Sequence, residues 1–524
     1  MNTGRETIGG LFAGQASGST VWSLFAAGAR LSARAVALQD ARDARRVTYG
    51  ELESWASRVA VRLHRHGVGA GDRIALLSEN SFEYLVVMLA AARVGAILAC
   101  QNWRLTGREL GHCLALVEPA LVLVSEKFRG LLESVPATLY PGSAELPTAL
   151  ALGSFCAVTQ DPLSESHSSL ADPESPLLIL YTSGTTGLPK GAVISHRAEI
   201  ARNLVLRNEF GLRPLDTFVC WTPLYHMGGA DHALGTLMVG GKVIVVDGFA
   251  PEALVRAAVS EPLGWLVVMP GVTHQMLEAL AGEPRPVKGI RVCGVMPDLI
   301  PRASVIELTR RLNAPFVNTF GSTETGSPPA SAGLLPIGSL PEKLSKRQSR
   351  FCEVRLVDPE GQDVSDGTPG ELWMRGPTLF SGYWANEEAN REAFAEGWFH
   401  MGDVFVRNPD GTLDFVDRAK YLIKSGGENI YPAEIERALL AVPGVSDAAV
   451  VRKPDPRWGE VPVAFVSTGD SNVDERLLRE RLRTALAGYK QPKAFHFIEF
   501  EAFPRSASGK IQRHELERRL STDD

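Results

Sequence analysis

The sequence predicts an α/β protein: a large N-terminal domain of parallel-rich sheets covered by helices, carrying a β-rich subdomain, and then a small mobile α+β C-terminal domain. Three observations predict it. Short aliphatic runs alternate with helical stretches through the first half of the chain, the pattern of strands that pair in parallel beneath crossover helices. A Gly/Asp-rich stretch, Asp358 to Gly370, then separates strand-like runs with turn dipeptides between them. Finally, 524 residues exceed what one hydrophobic core organises, since cores stop growing near ~250–300 residues.

The clearest strands of the first domain are Arg73 to Ser78, Ala96 to Cys100, Ala120 to Ser125, Lys242 to Asp247, Trp265 to Met269 and Ile290 to Cys293. Tyr84 to Cys100 is the most apolar stretch, but Arg93 and Gly95 interrupt it and it falls short of the roughly 18–20 apolar residues of a membrane span. It reads as a buried helix followed by a buried strand. Glu353 to Val357 and Glu371 to Arg375 are the strands of the β-rich subdomain, and Ser164 to Ser175 is polar enough for a surface loop. Beyond Asp417 the pattern predicts a helix from Pro432 to Ala441, strands at Asp447 to Arg452 and Val461 to Val466, a charged helix from Asp474 to Leu486 and a strand at Ala494 to Glu499. Residues 1–417, a hinge at 418–420 and residues 421–524 are the expected units.

Composition narrows the function. Lys+Arg number 54 against 60 Asp+Glu, a net charge of −6, which supplies no basic field for nucleic acid. The six cysteines show no CxxC pair or Cys/His cluster, arguing against a disulfide framework or a zinc site. The N-terminal residues lack the basic and apolar regions of a secretory signal, so a cytoplasmic protein is expected.

The strongest local signal is the apolar run Leu177 to Tyr181 leading into Thr182-Ser183-Gly184-Thr185-Thr186-Gly187-Leu188-Pro189-Lys190-Gly191. Glycines let backbone N–H groups close around an anion, while hydroxyls and a lysine add donors and charge. This is a nucleotide loop, but not a GxxxxGK[ST] P-loop: Gly191 follows Lys190 where that motif needs Ser or Thr. Further along, Asn318-Thr319-Phe320-Gly321-Ser322-Thr323-Glu324 offers an aromatic face for a purine, an amide, a hydroxyl and a carboxylate suited to magnesium. Met401-Gly402-Asp403 places a carboxylate with two acceptor oxygens where a vicinal diol would suit it. Pro504 to Arg513 contains Gly509-Lys510-Ile511-Gln512-Arg513, whose lysine is a point charge for developing negative charge.

Together these segments resemble, in order and across almost the whole chain, the adenylate-forming superfamily, in its acyl-CoA synthetase branch. The resemblance implies roles for individual residues. Thr182, Ser183, Gly184, Thr185, Thr186 and Lys190 would hold phosphates, with Thr186 and Glu324 at magnesium. Phe320 would stack adenine beside Gly321, Asn318 would pair with the amino edge, and Gly294, Val295 and Met296 would border the base. The family more often has Tyr where Phe320 stands, and the Cys293 to Pro297 segment departs from its usual Gly-Gly-Ala-Pro. Thr323 would contact the α-phosphate, Asp403 the ribose hydroxyls and Arg418 ribose or phosphate. Lys420 marks the hinge, and Lys510 is the catalytic lysine. His226, in Thr222-Pro223-Leu224-Tyr225-His226-Met227-Gly228-Gly229, would lie near the carboxylate and the thiol entrance. Gly426 and Gly427 would let the pantetheine arm pass, and Arg457-Trp458-Gly459-Glu460 resembles a segment frequent in CoA ligases, which makes Trp458 a cofactor-binding candidate.

The implied activity is an ATP-dependent carboxylic acid:CoA ligase that uses ATP, Mg2+ and coenzyme A. It would form acyl-AMP and pyrophosphate, then acyl-CoA and AMP, by alternation of the small domain. A stand-alone enzyme loading a carrier-protein thiol and a luciferase-like oxidoreductase share the same motifs. A catalytically dead scaffold would be signalled by loss of Lys190, Glu324, Asp403, Arg418 or Lys510, and all are present. The glycines at 228, 229, 235, 240 and 241, with Ala230 and Ala233, suggest a roomy acyl pocket for a medium or long chain, an aromatic or a cyclic acid. Expected partners are these small molecules, without nucleic acid or integral membrane contact; a homodimer is compatible with this reading.

Overall fold

In the computed structural model, residues 18–43, 45–136, 149–157, 171–183, 188–426, 428–469, 473–505 and 511–522 are described. Residues 36–335 build two sheets that share one core. The six-stranded sheet has the spatial order Leu150–Ala151, Leu121–Val124, Arg73–Leu77, Ile97–Cys100, Pro176–Ser183 and Pro189–Ser195. All its pairings are parallel except the last, an antiparallel hairpin. The eight-stranded sheet runs Leu334–Leu335, Phe316–Val317, Ile290–Cys293, Leu263–Leu266, Thr217–Cys220, Lys242–Val245, Val36–Asp40 and Arg46–Thr48. Its interior is parallel, and only its outermost pairs are antiparallel.

Strands buried on both faces should read as unbroken aliphatic runs, and Ile97–Cys100, Leu121–Val124 and Thr217–Cys220 are buried at every position. The apolar stretch before Cys100 is a helix, Phe82–Val94, followed by that strand. Ser81 Oγ accepts from Tyr84 N at its start, and Gly95, with φ of 76°, ends it in the left-handed conformation that favours glycine. Ten of its residues are buried, so it packs around most of its circumference rather than along one stripe. Among the described residues, no helix is long and apolar enough to cross a membrane.

One strand differs from its expected range. The residues read as Trp265 to Met269 form a strand only over Leu263–Leu266. Val267 to Met269 leave the ladder because the chains diverge at the carboxyl ends, where Val267 O accepts from Trp221 Nε1 and Val268 O from Val295 N. Of the expected loop from Ser164, residues through 170 lie outside the described ones, and Ser175 closes a turn on Asp172.

The β-rich part is an antiparallel sheet of Glu353–Val357, Pro369–Arg375, Trp398–Arg407, Phe394–Ala395 and Leu413–Arg418. The C-terminal part has its own sheet, built around the long hairpin Val445–Asp455 and Gly459–Thr468. Alternation explains its layers. Ala448, Val450, Ala464 and Val466 pack with Ile435, Leu439, Leu478 and Leu482 of the helices Pro432–Leu440 and Glu475–Ala485. The intervening Ala449, Val451, Val463 and Phe465 pack with Leu516 and Leu520 of Arg513–Thr522. A period of two sends successive side chains to opposite faces, so one hairpin serves two cores.

Candidate active site

The base region begins with aromatic packing. The Phe320 ring stacks on Phe415, with centroids 4.8 Å apart and planes 30° apart, and meets Phe405 edge-on at 4.9 Å. These neighbours hold the half-buried ring without a phenolic hydroxyl. Asn318 is buried with its carboxamide engaged: Nδ2 donates to the Leu344 and Ser345 carbonyls at 3.3 and 3.1 Å, and Oδ1 accepts from Lys346 Nζ at 2.7 Å. The oxygen keeps a second lone pair, which suits an incoming amino group. Lys346 is 1% exposed and also bonds Asp298 Oδ2 at 2.6 Å. A lysine in the charge-rich stretch Glu342 to Arg350 reads as a solvated loop residue, and nothing in its spacing announces a partner 48 positions away.

Gly294 shows why this segment needs glycine. Its φ is +65°, and a Cβ there would collide with the Phe316 ring. Its carbonyl accepts from Trp265 Nε1 at 3.0 Å, Val295 is half-buried, and Met296 has a positive φ of 52°. The bulkier side chain at 296 is therefore accommodated in a left-handed backbone, just before the short 3-10 turn Pro297–Leu299.

On the ribose side, Asp403 and Arg418 face each other across the antiparallel register of their strands, and Arg418 Nε lies 3.0 Å from Asp403 Oδ1. Asp403 is buried, while the Arg418 side chain is 39% exposed. Asp403 is the main cause of the raised guanidinium pKa, with Glu324 adding to it. The guanidinium thus contacts the expected ribose acid and lies within electrostatic reach of the expected metal acid.

On the phosphate side, Thr182 pairs in register with Lys190 across the hairpin. The Ser183 side chain and residues Gly184, Thr185, Thr186 and Gly187 lie outside the described residues, as do Gly427 and Lys510. Lys190 Nζ lies 5.2 Å from the Tyr383 ring centroid, and Tyr383 Oη donates to Glu324 Oε1 at 2.9 Å. Sequence reasoning missed Tyr383. It reaches the site because it forms a bridge with Ala192, next to the lysine strand. Gly321 and Thr323 are half-buried; a Cβ on Gly321 would strike the Gly326 and Ser327 carbonyls, and Thr323 O accepts from Arg202 Nη2 at 2.9 Å. Glu324 is an oxygen donor of the kind magnesium prefers, and the phenol orients one of its oxygens.

His226 is the N-cap of the helix Met227–Met238, and its Nδ1 accepts from Gly228 N at 3.0 Å. Engaging Nδ1 as an acceptor puts the neutral imidazole's proton on Nε2. Asn80, another residue the sequence did not single out, clamps the preceding loop: its Nδ2 donates to the Cys220, Thr222 and Val246 carbonyls, and its Oδ1 accepts from Leu224 N. The expected roominess around the glycines is corrected. A Cβ on Gly229 would strike the Pro223 and Thr222 carbonyls, on Gly235 the Asn203 side chain and on Gly241 the Asp216 carbonyl. These glycines serve close packing of helix on loop rather than an open cavity.

An open cleft of about 220 Å³ does lie beside Thr222 and Pro223, at the carboxyl ends of strands from both sheets, where ligands enter open α/β folds. Trp103, Trp221 and Phe249 give it apolar walls, and Arg505 of the C-terminal part reaches its rim. Lys420 is exposed beside the Tyr421 ring. Gly426 N donates to the Trp458 carbonyl at 2.8 Å, and the indole lies against the glycine. Trp458 is 40% exposed at a hairpin tip rather than packed into a core, so it and Gly426 form one surface feature.

Comparisons with known proteins identify the family. The AMP-binding enzyme family model matches residues 25–384, and the AMP-binding enzyme C-terminal domain model matches residues 434–510. A feruloyl-CoA synthase from an Amycolatopsis species is 37% identical over 511 residues, covering 94% of this chain and 97% of that protein. A fatty acid–[acyl-carrier-protein] ligase of Streptomyces coeruleorubidus is 33% identical over 496 residues, with 92% and 93% covered. Among solved structures, o-succinylbenzoate CoA synthetase of Bacillus subtilis in complex with its acyl-adenylate intermediate has a TM-score of 0.81 at 25% identity, over 96% of this chain and 98% of that one. In complex with ATP and magnesium ion it has a TM-score of 0.79 at 25% identity, over 95% and 100%.

Proposed function

The chain belongs to the AMP-binding enzyme family, and from that premise we infer how its residues divide the work. The protein is an ATP-dependent carboxylic acid:CoA ligase that forms acyl-AMP and then acyl-CoA, with ATP, Mg2+ and coenzyme A as its reagents. The observation that carries the reading is the line Lys190, Tyr383, Glu324, Arg418 and Asp403, which joins the phosphate hairpin to the ribose acid.

Hydroxide leaves poorly, so the carboxylate is activated first. Its oxygen attacks the α-phosphorus of ATP, the bond to the bridging oxygen breaks, and pyrophosphate departs. Phe320 and Asn318 position the base and Asp403 the ribose, while Arg418, Lys190 and the Thr182 to Gly187 loop position the phosphates. Thr323 and Lys510 meet the charge that grows on the α-phosphate. Glu324 and Thr186 would hold magnesium, which when bound would supply neutralising charge to the phosphates. His226, with its proton on Nε2, orients the acid.

In the second half-reaction the CoA thiol attacks the acyl carbon and AMP leaves. Residues 421–524 turn about the hinge at 418–420, withdrawing Lys510 and presenting Gly426, Gly427 and Trp458 to the pantetheine arm. The separate cores on the two sides of this segment support that division. The acid is aromatic or extended rather than acetate; the feruloyl-CoA synthase likeness supports this.

The test is pyrophosphate release with a panel of ferulate-like, fatty and short acids, each with and without CoA. The expected result is acyl-AMP without CoA and thioester with it. Turnover indifferent to CoA, with no thioester, refutes the ligase, and transfer only to a carrier protein establishes the carrier reading, which the Streptomyces relative's name favours. Highest efficiency with acetate refutes the acid class.

A further inference from the structure

On the helix that follows the strand Pro189–Ser195 lies a buried charge cluster to which the reaction described above gives no task. Arg202, on the helix His196–Glu209, is 3% exposed and spends its guanidinium on three segments. Nη1 lies 3.1 Å from Asp231 Oδ2, Nε donates to Thr378 O at 3.1 Å, and Nη2 donates to Thr323 O at 2.9 Å. Its stem also packs against Gly326, where a Cβ would crowd Cγ and Nε. Asp231 is on the helix that His226 caps. One planar cation therefore joins that helix, the loop at Thr378 and the peptide that carries Thr323 and Glu324.

The charge must balance, since a net charge far from water is costly. Glu199, fully buried on the same helix as Arg202, is the second carboxyl of the cluster. Among the described residues, neither of its oxygens, nor Oδ1 of Asp231, has a hydrogen-bond donor. A proton on Glu199, shared with the neighbouring Asp231 carboxylate, provides the missing donor and leaves one carboxylate to balance one guanidinium. Burial, with Asp231 alongside, pushes the Glu199 carboxyl well above its ordinary range.

We propose that Arg202, balanced by Asp231 and backed by a protonated Glu199, is a positioning residue for acyl-AMP formation: it fixes the Thr323 carbonyl, and so the Thr323 hydroxyl and Glu324 carboxylate, against the helix capped by His226. This rests on the ligase reading. Lysine cannot replace the planar fork, because an ammonium is a single point charge on a flexible stem. Displacing a group that must meet the α-phosphate by an ångström costs up to about 100-fold in rate.

The experiment measures acyl-AMP formation, the KM for the acid, and thioester formation from supplied acyl-AMP in Arg202→Lys, Asp231→Asn and Glu199→Gln. Arg202→Lys is expected to lower the acyl-AMP rate about 10- to 100-fold, with the KM and the second half-reaction within about threefold. Asp231→Asn should follow the same pattern with a smaller loss. Glu199→Gln, which keeps a neutral donor, should stay within about twofold of wild type in all three readouts. Equal loss in both half-reactions, no loss in Arg202→Lys, or damage by Glu199→Gln as large as that by Arg202→Lys overturns the proposal. If Arg202→Lys shows no cooperative melting, Asp231→Asn decides on the same criteria. A wild-type enzyme that makes no acyl-AMP from any acid refutes the ligase reading instead.

Discussion

Tyr383 Oη donates a 2.9 Å hydrogen bond to Glu324 Oε1. Burial raises the phenol's pKa, and the neighbouring carboxylate raises it further, so the hydroxyl stays a donor at working pH. Glu324 is thereby aimed by a residue 59 positions away. Groups that orient a metal-binding carboxylate typically matter about 10- to 100-fold for metal affinity. Tyr383→Phe is expected to raise the magnesium concentration for half-maximal pyrophosphate release about tenfold, with little change in melting temperature. An unchanged magnesium requirement would remove Tyr383 from this role.

Lys346 bridges Asp298 and Asn318 from a nearly inaccessible position. Replacing one member of a buried pair leaves its partner charge uncompensated, at about 3 kcal/mol or more. Lys346→Met should lower unfolding stability by roughly 3 kcal/mol and raise the KM for ATP, because Asn318 loses an anchor. Adding Asp298→Asn should recover part of the stability but not the KM. Urea unfolding and initial rates read the two effects separately.

Lys510→Ala should nearly abolish acyl-AMP formation while sparing thioester formation from supplied acyl-AMP. Rapid-quench assay of each half-reaction provides the comparison. Parallel loss of both contradicts the rotation of residues 421–524 away from the nucleotide.

His196 Nδ1 accepts from Val21 N at 3.2 Å, and burial pushes its imidazole down to about 4. The unfolded chain takes up this proton below its ordinary value near 6.5, and the folded chain does not until about 4. Stability is therefore lost as pH falls through that window, by about 2 kcal/mol between pH ~6.5 and ~5 at ~1.36 kcal/mol per unit. His196→Gln can still accept from Val21 and should show a shallower decline in urea midpoint over that range. A slope equal to wild type would mean that the histidine is already protonated in the fold.

Much of the fold was legible because burial leaves a local trace. The runs at Ile97–Cys100 and Leu121–Val124 are apolar since their strands are covered on both faces, and Ser81 and Gly95 mark the ends of the helix before the first of them. Val267 to Met269 were less legible: their composition suits a strand, but among the described residues the ladder ends at Leu266. Glycine was ambiguous for a related reason. At Gly229 and Gly241 it permits a backbone to approach, and composition does not distinguish that from an open pocket.

The sequence by itself determined the chemistry carried on contiguous segments. Thr182 to Gly191, Asn318 to Glu324 and Gly509 to Arg513 bring glycines and hydroxyls, an aromatic face, a carboxylate and a lysine together in short spans, because a backbone cradle or a loop of donors is built from neighbours. Only the tertiary structure decided what supports them. Tyr383 on Glu324, Lys346 on Asn318, Asn80 on the loop before His226 and Arg202 on Thr323 each span dozens of residues or more. Such pairs leave no spacing to read, since their geometry arises from the packing of separate elements: a buried charge or amide finds its partner across the core wherever the fold sets one down.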